Sequence, residues 1–192
     1  MTDESHFDIN KASHLDNEGR IRELRIPELL KDIGGVMGGM TCVDLGAGTG
    51  TFALRIAARV GEKGKVFAID DSAAMLSILK SRKPPPQIVP VQSDFTATGL
   101  DSGIADFCLA AFILHETKEP QKILDEAFRL LKPGGRLLAV EWRAEFDSPG
   151  PPQRIRISPE KMEAMFRQAG FKDFTHQNWT EKHYYGTSEK TQ

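Results

Sequence analysis

The sequence predicts an α/β protein with a doubly wound, mostly parallel sheet and helices on both faces. Three observations predict it. Short apolar runs alternate with amphipathic stretches along the chain, the pattern of strand–helix–strand units joined by right-handed crossovers. The run "IADFCLAAFIL" is almost continuously apolar, as in strands buried on both faces. A third run, "CVDLG", ends on an acid and opens through alternating glycines into a helical pattern at once.

The elements follow in order. An N-terminal arm, residues 1–35, carries Ile21, Leu24, Leu29 and Leu30 at helical spacing and is expected to form a helical cap. The sheet domain, residues 36–192, starts with "MTCVDLG" as its first strand. A helix over 51–60 shows Phe52, Ile56, Ala57 and Val60 on one face and stops at Gly61. "KVFAID" is the second strand, followed by a helix that Ser72 caps and "KPPPQ" ends. "QIVPVQSD" is the third strand, and Pro90 inside it points to an edge position. After the long apolar fourth strand, Pro120 opens a helix with Ile123, Leu124, Ala127, Leu130 and Leu131 inward and Gly134 at its end. "RLLAVEW" is the fifth strand. Ser158 and Pro159 start a last helix, and "FKDFTHQNWTEKHYYGT" reads as a strand pair.

Composition narrows the partners. With 192 residues, 40% hydrophobic and 27% charged, the chain suits one soluble domain with a sizeable core. A net charge of −2 without a long basic run gives no footprint for nucleic acid. No apolar stretch approaches the roughly 20 residues of a membrane helix, and the start "MTDESHFDIN" is too acidic and polar for a signal or transit peptide. Cys42 and Cys108 lie in separate strands and form neither a metal spacing nor a disulfide framework. No metal is expected, two free buried thiols are, and the cytoplasm is the simplest compartment. The oligomeric state is open, a homodimer included.

The glycines decide the ligand class. A dinucleotide fingerprint, G-x-G-x-x-G, placed on Gly46 and Gly48 would need its third glycine at Thr51, which disfavours a nicotinamide oxidoreductase. The pattern present is D-x-G-x-G-x-G, Asp44 to Gly50. An acid beside the turn repels a pyrophosphate but suits a ligand with positive charge, such as the amino group and sulfonium of S-adenosylmethionine. Backbone freedom or close approach explains the glycines.

"VDLGAGTG" resembles motif I of the Rossmann-like, class I S-adenosylmethionine-dependent methyltransferases. The likeness continues through "VFAIDDSAAML", "VQSDFTATGL", "IADFCLAAFILHE" and "EAFRLLKPGGRLLAVEW", in family order, from about Met40 to Trp142. Within that superfamily the chain is similar to the small-molecule branch that includes quinone-ring C-methyltransferases. The resemblance implies a seven-stranded sheet whose last strand runs antiparallel, and a cofactor site in which Asp44, Gly46, Ala47, Gly48 and Gly50 form the turn. Asp70 would accept both ribose hydroxyls, with Asp71 sharing that role or belonging to the helix start. Ser93, Asp94 and Phe95 would meet the adenine, unless Asp94 only serves its turn. Ala110 and Ala111 would offer carbonyls to the methionine amino group. Met75 would line the adenine pocket or the core.

Methyl transfer is an in-line displacement, so positioning supplies most of the catalysis and a base is needed only when the nucleophile must lose a proton. His115, just past the fourth strand, is the first candidate base and Glu141, ending the fifth, the second; a plainer reading has His115 hydrogen-bonding the cap. His6, His14, His176 and His183 carry no motif. The cap is expected from "FDINKASHLDNEGRIRELRIPELL" and "RAEFDSPGPPQRIRIS", with Arg20 or Arg22 reaching the methionine carboxylate and the sheet core complete without the arm. "LAAFILHE" lacks the Asn-Pro-Pro-aromatic motif of amino-group methyltransferases on macromolecules, and two strand-embedded cysteines do not suit an arsenite enzyme. A small, partly apolar methyl acceptor remains, near Phe112, Trp142 and Phe146. A non-catalytic S-adenosylmethionine-binding sensor or interaction subunit stays open.

Overall fold

The computed structural model describes residues 15–146 and 150–191; the expected arm residues Phe7 to His14 and part of the second cap segment lie outside them. The strands are β1 (Thr41–Leu45), β2 (Lys65–Asp70), β3 (Ile88–Gln92), β4 (Ala105–Ala111), β5 (Leu131–Trp142), β6 (Thr175–Asn178) and β7 (His183–Glu189). They form one sheet in the order β3-β2-β1-β4-β5-β7-β6. β1 to β5 are mutually parallel, and β7 runs antiparallel to both neighbours. Pro90 does sit on an edge strand, where its missing N–H costs least.

The helices are α1 (Glu18–Leu24), α2 (Thr51–Val60), α3 (Ala73–Ser81), α4 (Pro120–Leu130) and α5 (Pro159–Ala169), with a helical turn at Ile26–Glu28 running into a π turn at Leu29–Ile33. Caps act where the sequence puts them: the Ser72 and Ser158 hydroxyls accept the N–H of Met75 and Lys161. α4 and α5 cover one face of the sheet, around Val43, Cys108 and Phe166. α2, α3 and the arm cover the other, around Cys42, Ile56 and Leu138.

Two expectations change. The α4 helix ends at Leu130, not Gly134, because Leu131 already pairs with Ala105 in the sheet; the Lys190 ammonium donates to the carbonyls of Phe128 and Leu131 at that junction. The sheet core is also not complete without the arm. Leu24, Ile26, Leu29 and Leu30 are fully buried in the same cluster as Phe107, Leu138 and Tyr185. The reason is topological: α2 and α3 follow β1 and β2, so the same face of β4, β5 and β7 needs cover from elsewhere. The Trp179 indole N–H donates to the Leu24 carbonyl at 2.6 Å, which pins the arm to the β6–β7 turn.

Cys42 and Cys108 are free and buried. The register pairs Val43 with Cys108, so the two thiols face opposite sides of the sheet. Burial pushes Cys42 up to about 12 and Cys108 well above its ordinary value, which leaves both poor nucleophiles.

Candidate active site

The glycine turn sits at the carboxyl edge of the sheet, where ligands of open α/β folds gather. Gly46, Gly48 and Gly50 have φ of 71°, 55° and 86°, the left-handed region that side chains resist. Their surroundings differ. A Cβ on Gly46 would come within 2.2 Å of Ile113, and one on Gly50 within 2.4 Å of Leu79. A Cβ on Gly48 would meet only Leu15, at 3.4 Å. Packing thus demands two of the glycines, and Gly48 is where the turn opens to a ligand.

A cavity lies over this turn, walled by Gly46, Ala47, Gly48, Asp70, Asp71 and Met75, and on the β4 side by Ala111, Phe112 and Ile113, with Phe95 also reaching it. Asp70 accepts the Gly48 N–H at 2.7 Å through one oxygen and the Ser72 N–H at 3.0 Å through the other. Its carboxylate therefore fixes the turn while each oxygen keeps a lone pair. Leu15 and Arg20 close the cavity from the arm. Asp16 anchors them: it accepts from the hydroxyls of Thr49 and Thr51 and pairs with Arg82. The hydrogen bonds hold the Asp16 carboxyl below its usual range, against the opposing effect of burial. The Arg20 guanidinium lies 5.1 Å over the Phe112 ring and donates to the Leu15 carbonyl. Arg22 points to solvent, bonded to the Glu18 carbonyl.

Several expected residues stand outside the wall. Gly50 packs on Leu79. Ser93 bonds carbonyls of its own loop, and Asp94 is exposed, its carboxylate accepting the N–H and hydroxyl of Thr96; the turn reading is the one its bonds satisfy. The Ala110 side chain faces the α4 side, because side chains alternate along a strand, so only its carbonyl, the group expected to meet the methionine amino group, could serve a ligand. Trp142 stands behind Phe112, with ring centroids 6.0 Å apart, and Phe146 lies under Arg143. Asp44 is 1% exposed beneath the turn, and its Oδ2 has no partner among the described residues. Burial, then the nearby Asp70, pushes its carboxyl up to about 8.

His115 and Glu141 do meet, but behind the wall. Glu141 is fully buried; Oε2 lies 2.6 Å from His115 Nδ1, and Oε1 accepts the N–H of Leu114 at 3.0 Å. Burial lowers the pKa of His115, but the field and hydrogen bond of Glu141 outweigh it and the net direction is up. The side chain that reaches the cavity is the next one, Glu116, whose Oε1 is 3.9 Å from His115 Nε2. Burial pushes Glu116 up to about 7, despite the opposing His115. The sequence reading missed Glu116. The short 3₁₀ turn Leu114–Glu116 tucks the histidine under and turns the glutamate out, and three residues offer no periodicity from which to foresee it.

The donor set fits S-adenosylmethionine. Asp70, Asp71 and Glu116 reach the cavity and Asp44 lies below it, against one cation, Arg20. Raised carboxyls and an orphaned buried oxygen are what a cationic ligand would relieve. Fold and glycine turn are those of the Rossmann-like methyltransferase domain. The chain belongs to the methyltransferase domain family, whose model matches residues 43–139. It is 36% identical over 115 residues to a ubiquinone/menaquinone biosynthesis C-methyltransferase of Edwardsiella ictaluri, covering 58% of this chain and 46% of that relative. The chain thus spans less than half the length of that curated relative. An S-adenosylmethionine-dependent methyltransferase structure from Aquifex aeolicus superposes with a TM-score of 0.90 at 27% identity, over 97% of this chain and all of that one. A phosphoethanolamine N-methyltransferase of Haemonchus contortus, solved with S-adenosylhomocysteine, shares the fold at a TM-score of 0.73 and 17% identity, over 88% of this chain and 52% of that one.

Proposed function

We propose that the chain transfers a methyl group from S-adenosylmethionine to a small, partly apolar acceptor bound against Phe112. The observation that carries this is the cavity itself: a glycine turn locked by Asp70, three carboxylates and one arginine around it, and the aromatics Phe52, Phe95 and Phe112 in its wall. The cofactor supplies an electrophilic methyl group on a sulfonium. Asp70 holds the ribose hydroxyls, the turn at Gly46 to Gly48 lets the backbone approach closely, and Arg20 takes the methionine carboxylate. Positioning of this kind supplies most of the rate. Glu116, and not His115 or Glu141, is the group that accepts a proton from the acceptor, because it alone of the three lines the cavity and its pKa of about 7 matches that task. His115 and Glu141 position it. The arm before Leu24 acts as the cap, and the sheet domain carries the chemistry.

The mild net charge favours a small molecule over nucleic acid, and no helix among the described residues is long and apolar enough to cross a membrane. A cytoplasmic enzyme, alone or as a homodimer, is the reading we adopt. Calorimetric titration tests the core of it. S-adenosylhomocysteine should bind, NAD should not, and Gly48→Val should abolish binding. Methyl label from S-adenosylmethionine should then pass to a member of a panel of phenols, quinols and small amines. Binding of NAD in preference to S-adenosylhomocysteine would refute the assignment.

A further inference from the structure

The residue after β4, the last of β5 and the first of β7 form a cluster, Phe112, Trp142 and His183, of which the reaction as described uses only Phe112. The register pairs Trp142 with His183. The His183 ring packs edge-on to Trp142, with centroids 4.4 Å apart, and to Phe112, at 5.2 Å. Phe112 is a cavity residue held at φ 62°, a conformation that bulky side chains avoid and that clusters at functional sites.

Hydroxyl bookkeeping fixes the imidazole tautomer. The Thr180 oxygen accepts the backbone N–H of both Lys182 (3.2 Å) and His183 (3.1 Å), which uses its two lone pairs. Its one hydrogen is left for His183 Nδ1, 2.8 Å away. Nδ1 is therefore the acceptor, and the ring proton sits on Nε2. That N–H is buried and has no partner among the described residues, in a residue only 2% exposed. Burial, with Arg20, Lys182 and Arg156 around it, holds the imidazole near 4 against the pull of Glu23, so the ring is neutral and the donor permanent at neutral pH. A buried donor without an acceptor is rare and calls for an explanation.

We propose that His183 Nε2–H is the specificity-determining donor of the acceptor site, binding an oxygen of a flat acceptor whose ring lies against Phe112 and Trp142. The inference rests on the reading of this end of the cavity as the acceptor site. An acceptor without that oxygen leaves the donor unpaired and is rejected; one with it satisfies the N–H. Neither His183 nor Trp142 lines the ligand-free cavity, so Trp142, the part-exposed member of the cluster, must turn to let the acceptor reach past Phe112.

The test uses the full chain saturated with S-adenosylhomocysteine and two probes of equal outline, 1-naphthol and naphthalene. The wild-type protein should bind 1-naphthol about tenfold more tightly, the order expected of one buried hydrogen bond, and the ¹⁵Nε2 resonance of His183 should shift with 1-naphthol alone. His183→Phe should bind both probes equally while keeping its affinity for S-adenosylhomocysteine, and His183→Gln, which retains an N–H, should recover part of the preference. Equal affinities in the wild type, a silent Nε2 resonance, or a His183→Phe variant that still discriminates would overturn the proposal. The resonance is read on the wild type, so the answer does not depend on the variant folding. Failure to bind S-adenosylhomocysteine at all would instead strike the methyltransferase reading.

Discussion

Asp44 and Glu141 occupy matching places. Each lies at the carboxyl end of a central strand, and they are 1% and 0% exposed. Their surroundings diverge. Glu141 receives the N–H groups of Leu114 and His115 and the His115 ring. Asp44 keeps an oxygen without a partner beneath the glycine turn. A buried carboxylate with a full set of donors is part of the scaffold, because removing it strands every donor. One short of donors costs stability by itself and becomes useful when a ligand brings positive charge.

The largest expected effect breaks the satisfied partner. Glu141→Ala leaves the His115 ring and two backbone N–H groups unpaired in the interior, and should destabilise the fold by about 3–5 kcal/mol. Denaturant midpoints of the pure variant measure this; a loss within error of zero would mean that water replaces the carboxylate and the clamp is not structural.

The opposite sign is expected at Asp44. Asp44→Asn should stabilise the ligand-free protein at pH 8 by about 1–3 kcal/mol, because the amide brings no charge into the buried site, while weakening S-adenosylhomocysteine binding. The pH dependence follows from the same cause. Asp44 and Glu116 have folded pKa values raised to about 8 and about 7, so the folded state binds more protons than the unfolded one across that window. Their contribution is fully present below about pH 4 and is lost as pH rises through 8. Melting temperatures of the wild type should fall over this range, and those of Asp44→Asn should fall less. Bound S-adenosylhomocysteine, which lacks the sulfonium charge, should restore less stability at pH 8 than S-adenosylmethionine does at equal saturation.

The smallest effect concerns the first half of the arm, which contrasts with the second half as ligand cover does with scaffold. Removing residues 1–16 takes away Leu15 and Asp16 but leaves Leu24 to Leu30 in the core. That truncation should keep the fold, with cofactor affinity reduced several-fold. Truncation through residue 30 should not give a folded protein. Circular dichroism and calorimetry on both would separate the halves, and a stable, cofactor-binding second truncation would contradict the packing described above.

Much of this was legible in the sequence for a local reason. Gly46, Gly48 and Gly50, the caps at Ser72 and Ser158 and the helix over 51–60 express rules that act within a few residues. The strand alternation gave the sheet, and Pro90 its edge. Position relative to a strand end also brought Asp70 and Ala111 to the cavity. What the sequence could not decide depends on distant register and on which way a side chain turns. The arm looked like a separate cover because hydrophobic periodicity says that a face is buried, not against what. Asp94 and Ser93 matched a motif, yet their own loop satisfies them first. His115 and Glu141 come together from positions 26 residues apart, and the turn between Leu114 and Glu116 leaves Glu116 at the cavity. The aromatic end, Phe112 with Trp142 and His183, exists because β7 inserts antiparallel beside β5 in one register. A slip of one residue would put His183 on the other face. Local chemistry therefore determined the class of ligand, and tertiary packing decided which side chains meet it.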